Sequence, residues 1–220
     1  MSGSEQSVTD DAERRARIRA RHELIAVVLL SVTTILTAWS AFQSSKWGGA
    51  MSISFSQASA DRIEAASLKG TANQRFAIEV GVWTQWIDAV GNDNPKVAKF
   101  FEKRFPEPLA TAQQDWLATK PLKSKSAPET PFAMPSFVLP EQVAADAKDA
   151  EADAKFTEAL RNNQRGDNYT LLTVLFAAVL FFTAMSGRLE RVSSRWAMLG
   201  FGFVLCMVGI VFLVSFPKLV

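Results

Sequence analysis

One cysteine, one histidine and one tyrosine among 220 residues remove several kinds of protein from consideration. The cysteine, Cys206, lies inside an apolar run, so neither a disulfide framework nor a cysteine-based zinc cluster is expected. His22 has no second histidine to work with and no exposed thiol, which leaves no nucleophile–base triad of a familiar kind. A glycine-rich phosphate loop and metal-ligand spacings are also missing, so the chain is expected to hold no cofactor and no metal. Acids such as Asp61, Glu64 and Asp167 stand singly along helical stretches, where solvated faces or ion pairs are the usual state of a carboxylate. No catalytic residue is assigned, and the chain reads as non-enzymatic. Its net charge is only +2, and no basic stripe is interleaved with aromatics, which excludes nucleic acid as a partner.

What the chain does have is apolar sequence in blocks. Hydrophobic residues make up 48%, and they gather at 24–44, 169–187 and 196–216, with no formal charge inside any of the three. Residues 45–168 carry 31 charged side chains, 15 basic and 16 acidic. A helix rises about 1.5 Å per residue, so about 20 apolar residues cross a hydrocarbon core roughly 30 Å thick. The first and third blocks reach that length unaided; the second does so with Tyr169 at its interface end. The fold class is accordingly an all-α integral membrane protein with three transmembrane helices, and the lipid bilayer is its first partner.

Arginine placement sets the expected orientation. Arg14, Arg15, Arg17, Arg19 and Arg21 stand in the basic segment 1–23, and Arg188, Arg191 and Arg195 in the loop 188–195. Three spans put those two regions on one face, and short basic flanks stay cytoplasmic. Residues 45–168 then form an extracytoplasmic helical domain, with a short outer tail at 217–220. The first block is too long for a signal-peptide core, and Asp10, Asp11 and Glu13 argue against a transit peptide, so it is read as an uncleaved anchor.

Residues 1–11, polar and rich in Ser and Asp, are expected to be disordered, with helix from Ala12. Beyond the first span nothing stops a helix until Gly70-Thr71, read as a turn, and Ile53, Ser56, Ala60, Ile63 and Ser67 suggest a packing seam. Phe76, Val80, Trp83, Ile87 and Val90 form an amphipathic pattern that ends at Gly91-Asn92-Asp93-Asn94-Pro95, where Asn94 can cap the next helix. A short helix is expected near 109–118. Five prolines break the helical period at 121–140, but Phe132, Met134, Phe137 and Val138 are too apolar for a free linker, so this Pro-rich excursion should lie against the helical body. From Glu141 an alanine-rich helix, with Val143, Ala147, Ala150 and Ala154 in register, should run into the second span and pack antiparallel on the outward extension of the first.

Two polar clusters fall at the same predicted membrane level. Gln43, Ser44, Lys46 and Trp47 follow the first span; Asn162, Asn163, Gln164, Arg165, Asp167 and Asn168 precede the second. Amides and charges there can bond across helices or form a binding site, and this junction is the candidate site. Arg165-Gly166-Asp167 matches an adhesion tripeptide, but a helix is the wrong setting for it. Thr33, Thr37 and Ser40 make a hydroxyl stripe suited to helix packing or to a pore; Thr170, Thr173, Ala177 and Ala184, and Gly202, Cys206 and Gly209, make small-residue stripes on the other spans.

The segments from Ala38 to Trp47, Pro131-Phe132-Ala133-Met134-Pro135, and Asn163 to Tyr169 resemble those of an uncharacterised group of small bacterial three-pass inner-membrane proteins. That resemblance implies a bacterial cytoplasmic membrane location and a shared layout, with no activity to transfer. The expected function is to present the extracytoplasmic domain for self-assembly or for binding a membrane protein partner. A homo-oligomeric channel or transport component is the alternative.

Overall fold

The computed structural model describes residues 2–121, 123–124 and 126–219, with side chains from residue 13 onward except residue 15. Five helices account for most of it: α1 (Ser2–Gly91), α2 (Pro95–Glu102), α3 (Leu109–Ala118), α4 (Pro140–Ser186) and α5 (Val192–Ser215), with one 3-10 turn at Pro131–Ala133. No strand occurs among the described residues. α1, α4 and α5 are each long and apolar enough to cross a membrane. Helices α1 and α4 continue well beyond their apolar stretches.

Two boundaries differ from the sequence reading. Helix α1 starts at Ser2, not Ala12, because the polar segment has no proline and extending an existing helix costs far less than nucleating one. It also passes through Gly70-Thr71, the expected turn. A glycine inside a helix costs about 1 kcal/mol relative to alanine. The buried Ala65 and Ala72 and the Lys69–Asp149 ion pair on either side of Gly70 hold the helix through it.

The chain divides into two compact units. The first comprises Met1–Ser54 and Thr157–Val220. Its core is Leu29, Trp47, Tyr169, Leu172, Phe176, Val179, Leu199, Cys206 and Leu213. On α5 the expected small stripe does face inward: Gly202, Cys206 and Gly209 are buried. A methyl group built on Gly209 would lie 2.5 Å from the Phe176 ring, and one on Gly202 would lie 3.0 Å from Thr183 Oγ1, so these glycines set how close α4 and α5 come. On α4 the expected stripe lies outside this core. Thr170, Ala177 and Ala184 are exposed, and Tyr169, Leu172, Phe176, Val179 and Thr183 fill the interior instead. Bulky side chains against glycine give a larger contact than two small stripes facing each other would.

The second unit is Phe55–Phe156. Here α1 and α4 run antiparallel with alanines buried every seven residues: Ala58, Ala65 and Ala72 on α1, Ala145 and Ala152 on α4. That heptad spacing is the signature of a coiled-coil seam, and alanine lets the backbones approach closely. Cross-helix ion pairs fix the register: Lys155 to Asp61 at 2.6 Å, Arg62 to Asp153 at 2.7 Å and Arg75 to Glu141 at 2.8 Å. The seams read from the sequence point the other way. Ile53 in the first unit, Ser56, Ala60, Ile63 and Ser67 on α1, and Val143, Ala147, Ala150 and Ala154 on α4, are all exposed.

Beyond the seam, Trp86, Ala89, Ala98, Phe105, Leu109 and Trp116 form the distal core. α1 ends where expected, and Asn94 Oδ1 accepts from the Val97 amide at 3.3 Å as the cap of α2. The Pro-rich excursion does lie on this body. Phe132 packs edge-on to Phe76, Trp83 and Phe137, and the Trp116 indole donates to the Pro128 carbonyl at 2.7 Å.

Candidate functional site

The junction cluster, which lies wholly within the first unit, separates into an inward and an outward set. Gln43, Trp47, Asn162 and Tyr169 are buried. The Gln43 amide is used twice on one residue: Nε2 donates to the Leu219 carbonyl at 3.2 Å, and Oε1 accepts from the Leu219 amide at 3.0 Å. Tyr169 donates to the Pro217 carbonyl at 3.1 Å and stacks edge-on with Phe216. Both side chains therefore hold the residues that follow α5. Ser44 and Thr170 share a hydroxyl bond of 2.9 Å, and the Arg165 guanidinium lies over the Trp47 ring at 4.6 Å while donating to Asn162 Oδ1 at 3.2 Å. Gly166 is buried against α1, where a Cβ would make ordinary contact with the Ser44 carbonyl at 3.5 Å and with Trp47 at 3.6 Å. The Arg165-Gly166-Asp167 tripeptide is accordingly helical and partly enclosed, not an exposed loop.

The outward set makes bonds only one turn along its own helix. Asn163 donates to Asp167 and Gln164 to Asn168, each at 3.1 Å, and Lys46 is exposed. The ten candidate residues thus do not converge on one cavity. The inward groups hold helices and the residues after α5 together, which the local sequence shows no sign of because Pro217 and Leu219 are distant from Gln43 and Tyr169.

Thr33 and Ser40 are fully buried and Thr37 partly so. The Ser40 hydroxyl donates to the Leu36 carbonyl and that of Thr37 to the Thr33 carbonyl, both at 2.8 Å, while Thr33 Oγ1 meets Cys206 Sγ at 3.8 Å. Two of the three hydroxyls are thereby used within α1 itself, and Thr33 alone meets α5.

A further polar group, unremarked in the sequence, is enclosed in the second unit. Arg75 donates to Glu79 at 3.0 Å and to Glu141 at 2.8 Å, and also to the Glu107 carbonyl. Glu79 is wholly buried, and burial pushes its carboxyl above the ordinary range despite the guanidinium beside it. Glu141 is held below that range, first by its own backbone N–H and then by Arg75. Gln113, equally buried, accepts the Trp83 indole N–H at 2.9 Å. The one legible signal was the four-residue spacing of Arg75 and Glu79, which suits a helical ion pair. Nearby, an apolar groove of about 670 Å³ runs between Trp86, Ile87, Val90, Trp116 and Leu117, with Lys120 and Lys123 at its rim. Among the described residues no three His, Cys, Asp or Glu side chains gather as a metal donor set.

No family model, curated protein or solved structure matches this chain. What it does has to be read from its own geometry. Chemically, the bonds and ion pairs above hold helices together, although Trp47 Nε1, Glu79 Oε2 and Gln113 Nε2 are buried without a partner; the exposed features are apolar or small: the groove, and the outward face of α1.

Proposed function

We propose that this is a non-enzymatic bacterial inner-membrane protein that presents its helical domain outside the cytoplasm for self-assembly. One observation carries the reading: the α1 face bearing Ser56, Ala60, Ile63, Ser67 and Gly70 is exposed along its length, with Ile63 at 69%. Nothing lies within 4 Å of where a Gly70 side chain would be, so this glycine meets no need of the chain's own packing. Copies in one membrane share an orientation, and two such faces brought together in parallel would align like positions. Small residues with an interspersed isoleucine suit close helix approach.

Ala60→Cys tests this directly, because the native Cys206 is buried and leaves little background. Oxidation in membranes should yield a cross-linked dimer, and Ala60→Trp should lower the mass of the complex extracted in mild detergent. A monomer by mass, with no cross-link at position 60, would refute self-assembly. If another membrane protein co-extracts in fixed ratio, the domain serves that partner instead. The channel alternative draws less support, because of its supposed lining, Thr33, Thr37 and Ser40, the first and last are buried among the chain's own helices and Thr37 is half-buried. Orientation is tested by single cysteines at Ser124 and Ser193: an impermeant reagent should label only the first in intact cells.

A further inference from the structure

A second cavity, of about 420 Å³, lies in the first unit between the segment preceding the first apolar stretch and the start of α5. Ile18, Arg19, His22, Glu190, Val192, Arg195 and Trp196 line it, and no reading of the sequence had joined them. His22 is 2% exposed, yet neither ring nitrogen has a hydrogen-bond partner; Arg195 Nε is likewise enclosed and unpartnered. Buried polar groups almost always have a partner, and leaving one without costs about 1–3 kcal/mol. Two such groups on one cavity wall point to a missing ligand.

Its charge pattern says what kind. Arg19 and Arg195 are permanent cations, and an imidazole offers at least one N–H in any protonation state. Val192 is the first residue of α5, whose cap, Arg191, supplies no side-chain bond to the free amides of the first turn. That helix end carries partial positive charge and favours an anion. One carboxylate, Glu190, stands on the same wall and would repel a bare phosphate, but it would accept from an ammonium beside that phosphate. Its lining residues on α1 directly precede the first apolar stretch, Trp196 is the first residue of the third, and Leu24 and Val28, within two turns of His22 along α1, are exposed and apolar. Acyl chains would lie there.

We propose that this cavity binds the headgroup of an aminophospholipid: Arg19, His22 and Arg195 hold the phosphodiester, Glu190 the primary ammonium, and Trp196 flanks the glycerol. The T-shaped contact of His22 with Trp196, ring centroids 5.5 Å apart, sets the two rings side by side in the cavity lining, and the imidazole turns about this contact to bring an N–H to the phosphodiester. The site rests on the chain being a membrane protein, and is independent of whether copies assemble.

His22 is the only histidine, so full-length protein labelled with [15N]histidine gives one assignable pair of imidazole nitrogens. In maltoside micelles and phosphate-free buffer, dioleoylphosphatidylethanolamine should shift these signals saturably, at lower mole fraction than dioleoylphosphatidylglycerol does. Glu190→Gln, at an exposed loop position, should weaken the ethanolamine lipid about tenfold, the size expected for loss of one charge-assisted bond. Equal response to the two lipids, or an unchanged Glu190→Gln, overturns the assignment. Saturation by millimolar inorganic phosphate to the same end point would make this a free-phosphate site and refute the lipid. No shift with any of the three probes rejects the site altogether.

Discussion

Replacing Arg75 by methionine should destabilise the second unit by about 3 kcal/mol, and the penalty should shrink as the pH falls. The guanidinium is the partner of Glu79 at 3.0 Å, whose side chain is 1% exposed. Breaking a buried ion pair by removing one partner costs about 3–5 kcal/mol, since the other charge stays enclosed without compensation. Arg75 itself is 31% exposed, so the lower end applies. The sign with pH follows from Glu79. Its carboxyl titrates above the ordinary range in the folded chain because burial outweighs its pairing. For an acid shifted upward, the folded state binds more protons than the unfolded one between the two pKa values, so stability is lost as pH rises through the folded pKa and regained below it. Without the guanidinium the carboxyl moves higher still, and the variant gains stability from pH 7 towards pH 5. Glu141 works oppositely: its lowered pKa adds stability above the ordinary carboxylate range, lost as pH falls through the folded value. Hydrogen exchange over residues 72–90, corrected for intrinsic rates, should be about a hundredfold faster in Arg75→Met at pH 7, if the amides there exchange through unfolding of the unit. The double change Arg75→Met/Glu79→Leu should recover most of that loss. An acceleration under threefold, or one that is unchanged at pH 5, would refute the account of a buried, charge-dependent Glu79.

Other outcomes follow from single contacts. Gly209→Ala should cost about 1–3 kcal/mol by driving the Phe176 ring from its place, measured as detergent-induced unfolding, and adding Phe176→Leu should restore part of it. Gln43→Leu removes both bonds to Leu219, so carboxypeptidase should trim the residues after α5 faster while the helices themselves stay protected. Asp93 occupies a left-handed conformation, φ 51°, after the end of α1, where its amide bonds the Val90 carbonyl and that of Asn94 the Ala89 carbonyl. Glycine takes that conformation without strain. Asp93→Gly should therefore stabilise the distal core by about 0.5–1 kcal/mol, seen as slower exchange at residues 86–90.

Helical type, the three apolar stretches, the start of α4 and the place of the Pro-rich excursion were legible because they follow from composition along the chain: long uncharged runs, and prolines that no helix tolerates. The Gly202, Cys206 and Gly209 face was legible as well, since glycine within an apolar helix has few uses besides close packing. What the sequence could not settle was the buried face of the long hairpin arms. Ile63 and Val143 draw the eye as the apolar members of their stretches, yet both are exposed, and the interior is Ala58, Ala65, Ala72, Ala145 and Ala152. In an alanine-rich helix, alanine lies on every side, so hydropathy does not mark the seam. The choice is made by pairing, because Asp61, Arg62, Lys69 and Arg75 meet Lys155, Asp153, Asp149 and Glu141 only in this register. The same holds for the junction residues. Their polarity was plain, but whether Gln43 faces solvent, a ligand or Leu219 depends on where a chain segment 176 residues away comes to lie, and that is fixed by tertiary packing alone.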